Sequence, residues 1–230
     1  MESGTHDVTD GSIEMTEPLK IWGRSNSVNV QKVLWCCDEL GLRFDRIDAG
    51  MQFGQVDTPA YRRLNPNGRI PTLVDGDFVL WESHAILRYL ALRQSETDSR
   101  ALELYPTQPK IRAKLERWLD WALGTLQPVE RVLFQGLIRT PKQERNLQAI
   151  HDAAIATGQL WGLLNEHLAH GFPFIEGMTF TLADLVLGAY ARRWFGIAVH
   201  PRPDLKRLEG WYGGLCTREG FARYIAQPLS

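Results

Sequence analysis

The chain has little cysteine and no cysteine pattern. Cys36, Cys37 and Cys216 form no CxxC and no Cys/His cluster at metal-ligand spacing, so neither a disulfide framework nor a bound metal is expected. There is no excess of either charge: 26 Lys and Arg stand against 27 Asp and Glu, a net of −1. Nothing in that balance argues for nucleic acid. No apolar run approaches the roughly 18 residues of a membrane span. Residues 1–18 are polar and acidic and lack the apolar core of an export signal. They read as a flexible N-terminal extension, and the chain as cytoplasmic. Internal repeats and low-complexity tracts are absent too.

What remains is 230 residues, 44% hydrophobic and 23% charged, the composition of one large or two small globular domains. The most informative stretch runs from Asn65 to Tyr89. Asp75-Gly76 stands between two short apolar runs, Ile70 to Val74 and Phe78 to Trp81, and predicts a hairpin because glycine supplies the positive φ of a tight turn. Pro71 opens the first strand, where a missing N–H is tolerated; its bond to Ile70 is open between cis and trans. After the second strand, Glu82-Ser83 sits at the N-cap of a helix carrying Ala85, Ile86, Tyr89 and Leu90 on one face. The free N–H groups of such a helix end suit a carboxylate.

Upstream, Leu19–Gly23 predicts a strand. Arg24-Ser25-Asn26-Ser27 is a polar loop, and a helix begins at Val28 with Val30, Val33, Leu34, Cys37 and Leu40 on its buried stripe. Gly41 closes it. Cys36 and Cys37 read as buried small apolar residues. Phe44–Ile47 is a second strand, which makes a β-α-β unit with a right-handed crossover. Residues 95–108 read as a polar linker. From Pro109 nearly everything is helical, with Gly124 and Pro128 marking a break and Thr181-Leu182-Ala183-Asp184 forming a capping box of structural use. Domains are therefore expected at 19–94 (α/β) and 109–230 (all-α).

Ile70-Pro71-Thr72-Leu73, the hairpin and Glu82-Ser83-His84-Ala85-Ile86 occur in an order and spacing that resembles the glutathione-binding half of glutathione S-transferases. The likeness covers residue 19 to the end, more specifically in the first part. It implies a thioredoxin-like N-terminal domain followed by an all-helical bundle, glutathione as co-substrate, a homodimer, and thiolate attack on an electrophilic, partly apolar second substrate. Lowering a thiol pKa from about 8.5 by two units takes roughly 2.7 kcal/mol. An exposed helix terminus supplies about 0.3–1 and a hydrogen bond to a charged acceptor about 1.5–3, so both are needed.

Ser27 matches the serine of the serine-type classes and is the leading thiolate donor, with capping of the first helix as its plain alternative. Asn26 and Asn29 flank it and share or replace the role. Trp22 stands where tyrosine-type members carry tyrosine, and no cysteine lies in the loop. The resemblance gives Glu82 and Ser83 the γ-glutamyl end, Ile70 and Pro71 the cysteinyl backbone, and Arg69 a carboxylate. Asn67-Gly68 departs from the family's Gln-His pair and leaves the glycine end open. His84 stands where some members carry arginine and reads as solvated or at a partner. Trp121 is a candidate second-substrate contact, against ordinary helix packing. A glutathione-dependent dehalogenase or reductase, and a non-catalytic glutathione-binding module, are the competing readings; the missing loop cysteine argues against disulfide exchange.

Overall fold

The computed structural model describes residues 17–230; most of the expected N-terminal extension lies outside the described residues. Strand β1 (Leu19–Trp22) leads through the polar loop into helix α1 (Val28–Glu39) and strand β2 (Phe44–Ile47). Helix α2 (Pro59–Leu64) follows, then strands β3 (Thr72–Asp75) and β4 (Phe78–Trp81) and helix α3 (Ser83–Ser95). The sheet order is β2-β1-β3-β4, with β1 parallel to β2 and antiparallel to β3. This is the expected thioredoxin-like arrangement. The expected stripe of α1 is buried throughout, Cys36 and Cys37 included, and Gly41 follows the helix at φ +64°.

The hairpin differs by one residue from its sequence reading. Asp75 stays in the ladder opposite Phe78, and the turn is Gly76-Asp77 with Gly76 at φ +59°. Asp75 is retained by its carboxylate, which accepts from the Tyr89 hydroxyl at 2.7 Å and pairs with Arg93 at 2.6 Å. The hairpin is thereby fastened to α3.

The stretch read as a linker contains a helical turn, α4 (Ala101–Leu104), whose two end residues are buried. Helix α5 (Pro109–Trp121) runs through a π-helical turn at Ala122–Leu126 into α6 (Gln127–Phe134), and a second π turn covers Gln135–Arg139. The break expected from Gly124 and Pro128 is thus a widened turn, a common way for a long helix to change direction. Helices α7 (Leu147–His167), α8 (Leu182–Gly196) and α9 (Lys206–Cys216) complete the mostly helical region. The capping box forms at α8: buried Asp184 accepts from the Thr181 N–H at 3.0 Å, the Ile175 N–H at 2.8 Å and the Trp211 indole at 2.9 Å. Four donors with the Thr181 hydroxyl satisfy a charge that would otherwise be costly to bury.

Helix α1 is the wall shared by the two regions. One side packs on α3, the other on α8 and the turn Phe221–Ile225. Trp35 is fully buried, meets the rings of Phe180 and Phe221 at 5.5 Å, and donates to Glu39 at 2.7 Å. Burying one such large side chain contributes about 1.5–3 kcal/mol. Its packing fixes where α1 begins.

Candidate active site

That beginning opens on a cleft of about 350 Å³ lined on the sheet side by Arg24, Ser27, Asn29, Arg69 and Ile70, and on the helical side by residues of α6 and α8. Ser27 is the N-cap of α1, with extended backbone (φ −91°, ψ 121°) and no capping bond from its hydroxyl. The first turn of α1 carries no acidic residue, so its N–H groups keep their positive field. A serine that caps a helix satisfies one of those N–H groups; this one does not, and its hydroxyl is left for the cleft.

The two asparagines part company. Asn26 accepts from Arg24 at 2.7 Å and donates to the Ser230 hydroxyl at 2.7 Å, so its amide is committed away from the cleft. Asn29 lines the cleft, and its buried side-chain oxygen has no hydrogen-bond partner.

Two residues that the sequence did not single out shape the proline turn. The Tyr61 hydroxyl donates to the Arg69 carbonyl at 2.6 Å and meets the Thr72 hydroxyl at 2.9 Å. Asn65, buried, donates to the same carbonyl at 2.9 Å and to Thr72 at 3.1 Å. Together they pin Arg69 and Ile70 at the cleft wall, ahead of a cis Ile70–Pro71 bond. Tyrosine and asparagine within α2 and its end were the only signal, and it is a weak one. Asn67 is exposed and outside the lining, where Gly68 stands instead.

Glu82 and Ser83 follow β4, and the register sets Trp81 opposite Thr72, which brings them beside Pro71. Glu82 is exposed and holds a left-handed backbone, φ +72° and ψ 113°. A non-glycine residue there is strained, and strain of this kind concentrates at ligand sites. Ser83 is the first residue of α3 and buried.

His84 overturns its expected exposure. It is buried, and its Nε2 lies 2.8 Å from Nζ of Lys32. Lys32, fully buried on α1, also sits 5.2 Å over the Tyr190 ring. Burial, with Arg193 nearby and against the pull of Glu82, brings Lys32 down to about 7. Burial and the neighbouring Lys32 hold His84 well below its usual range. The pair therefore shares a hydrogen bond rather than two charges.

Trp121 does not line the cleft; it stands edge-on to Trp118 at 5.5 Å. The cleft-facing helix surface lies beyond the π turn, at Gln127, Glu130, Arg131 and Phe134, because the extra residue of a π turn rotates the following face. A larger cleft of about 590 Å³ lies at the other end of α1. Most of its charges are already matched, Asp38 with Arg223, Glu39 with Arg218 at 2.5 Å and Asp98 with Arg100 at 2.6 Å.

An α/β sheet whose proline turn and helix N-terminus line a cleft shared with a mostly helical region, with Glu82 and Ser83 beside that turn but outside the cleft lining, is the frame of a thiol-peptide transferase. The chain belongs to the glutathione S-transferase family. Residues 26–93 match the family described as "Glutathione S-transferase, N-terminal domain". The chain is 36% identical over 216 residues to glutathione S-transferase GstB of Escherichia coli (strain K12), covering 92% of this chain and 100% of GstB. It is 34% identical over 220 residues to glutathione S-transferase 3 of Zea mays, covering 91% and 94%. Among solved structures, the theta class glutathione S-transferase of the citrus canker pathogen Xanthomonas axonopodis pv. citri, with glutathione bound, superposes with a TM-score of 0.86 at 42% identity. It covers 94% of this chain and 100% of that one.

Proposed function

We propose that this glutathione S-transferase binds glutathione with its sulfur at Ser27 and transfers the thiolate to an electrophilic carbon. The observation that carries the reading is the unpaired Ser27 hydroxyl at the N-terminus of α1, facing the cleft. Hydrogen bond and helix field together supply the roughly 2.7 kcal/mol that a two-unit drop in thiol pKa requires. Asn29, in the same wall, offers its side-chain NH2 group as the second donor of the pair; Asn26, bonded to Arg24 and Ser230, does not.

The remaining contacts follow the turn and the strained residue. Arg69 and the Ile70 backbone hold the middle and one carboxylate of the peptide. Glu82 takes its α-amino group, and Ser83 with its N–H the α-carboxylate, as charge-assisted bonds. Thiol–disulfide exchange is disfavoured because Cys36 and Cys37 are buried, which drives their thiols far up. The exposed apolar side chains Met51, Phe53, Phe78 and Trp81 of the first domain support a homodimer. Three free cysteines suit a reducing cytoplasm, and detoxification of electrophiles is the matching role.

Calorimetry with glutathione, followed by a conjugation assay against aryl halides and activated alkenes, tests this. Binding with conjugation is expected. Absence of any heat at millimolar glutathione refutes it in favour of a module with another ligand.

A further inference from the structure

The cleft beside the glutathione contacts is only in part the apolar surface expected for the second substrate, through Val28, Met51, Val56 and Ile70. Five arginines, Arg24, Arg69, Arg131, Arg139 and Arg193, line the cleft, with Glu130 as the one acid among its lining residues. Glu130 is already used: it pairs with Arg193 at 3.1 Å and is buried. The one aromatic ring in the lining, Phe134, is buried beneath guanidinium groups, Arg193 at 3.7 Å and Arg139 at 4.9 Å from its centre. The lining therefore offers no bare aromatic platform.

Arg24 and Arg139 are short of partners. Arg24 is only 8% exposed; one of its terminal nitrogens donates to Asn26, while its Nε is buried with no partner. The Nε of Arg139 is likewise buried and unmatched, and one of its terminal nitrogens donates to the Ser230 carbonyl at 3.4 Å. Burial first, then the neighbouring Arg139 and Arg193, bring Arg24 down to about 10. Arg139 is lowered by burial, then by Arg193 and Arg131. Guanidinium groups held together in a cleft, with Nη2 of Arg24 and Nη1 of Arg139 outside the hydrogen bonds to Asn26 and Ser230, are a receptor for an anion, because a carboxylate or similar group accepts from them and relieves the mutual repulsion. These arginines come from the β1–α1 loop, the turn after α6, and α8, so only the folded chain assembles them.

Resting on the transferase reading above, we propose that the second substrate is a compact electrophile carrying its own carboxylate, held by Arg24 and Arg139 beside the bound sulfur. The two carboxylates of glutathione are assigned to the Arg69 and Ser83 ends, which leaves Arg24 and Arg139 for the electrophile. With a halogenated substrate, the thiolate sulfur forms a bond to the carbon bearing the halogen. The carbon–halogen bond breaks, halide departs with its electron pair, and the thiol proton has already passed to solvent. The substrate carboxylate stays intact as the handle.

A matched pair tests this: 4-chloro-3-nitrobenzoate and 4-chloro-3-nitrobenzamide, which differ in charge at a position remote from the C–Cl bond. Each enzymatic kcat/KM is divided by the uncatalysed rate of its compound. The expected result is a preference of about tenfold or more for the acid, the scale of one charge-assisted hydrogen bond. Arg139→Gln and, separately, Arg24→Gln should cut that acid-to-amide ratio about tenfold, chiefly through KM for the acid, and added salt should narrow it. If the arginines serve only the thiolate, both compounds fall together and the ratio holds, which overturns the proposal. Conjugation of the amide without preference for the acid also overturns it while leaving the transferase standing. Failure of both compounds together with no glutathione binding brings down the transferase reading itself.

Discussion

Replacing Ser27 by alanine separates the two uses a helix-capping serine can have. The hydroxyl makes no bond to α1, so the usual penalty of about 1 kcal/mol for losing an N-cap bond should be largely absent. Its proposed bond to the thiolate is a different quantity. A hydrogen bond to a charged acceptor contributes about 1.5–3 kcal/mol, and at 1.36 kcal/mol per unit its loss raises the bound thiol pKa by about 1–2 units. With a wild-type value near 6.5, the thiolate fraction at about pH 6.5 drops from one half to between roughly a tenth and a hundredth. Turnover should therefore fall about 5- to 50-fold at that pH and nearly recover at about pH 9, where either form is mostly ionised. The assay is a pH–rate profile of kcat/KM for the electrophile at saturating glutathione, paired with titration of the thiolate absorbance in the complex and with urea denaturation. An unmoved midpoint, or a deficit equal at all pH values, would refute the reasoning and move the role to Asn29. A stability loss well above 1 kcal/mol with an intact profile would show the serine to be a cap after all.

Three further expectations bear on the frame around the sulfur. Glu82→Gln keeps the size but removes the charge offered to the α-amino group, so calorimetry should show glutathione affinity down about tenfold or more; unchanged affinity removes Glu82 from the site. Lys32 bears on pH: it titrates at about 7 in the fold against an ordinary 10.5. The unfolded chain then holds more protons between those values, and this group's contribution to stability rises with pH across that window. Lys32→Met, which also faces His84, Tyr190, Glu82 and Arg193, should gain on wild type most at about pH 6 and progressively less toward pH 9, as read by denaturation at each pH; an advantage independent of pH contradicts the buried-cation reading. Asp184→Ala strands the N–H groups of Thr181 and Ile175 and the Trp211 indole. It should cost about 3 kcal/mol or more in urea midpoint stability while the folded fraction binds glutathione normally; a loss below about 1 kcal/mol would say the network relaxes.

The local signals carried far. Two short apolar runs around a D-G pair gave the hairpin, three- and four-residue spacing gave the stripe of α1, and Thr181 to Asp184 gave the cap of α8, because turns, stripes and caps are settled by residues within a few positions of one another. The same locality placed Ser27 at the first turn and Glu82-Ser83 at α3. It misplaced the hairpin turn by one residue, since Asp75 answers to Tyr89 and Arg93 rather than to its neighbours. It also left His84 in solvent, because its partner Lys32 lies 52 residues away.

The sequence alone determined the order of elements, the thioredoxin-like sheet with a helical region behind it, and which residues are proposed to offer a hydroxyl and a carboxylate to a thiol peptide. Only the tertiary structure decided which of those groups are free: Asn26 is spent on Arg24 and Ser230, while Ser27 and Asn29 face the cleft. It alone brought Arg24, Arg139 and Arg193 together around the same cleft. The reason is physical. Propensity and periodicity act over a turn or two of chain, whereas burial, charge pairing and the sharing of hydrogen bonds are properties of packed surfaces whose members come from distant segments.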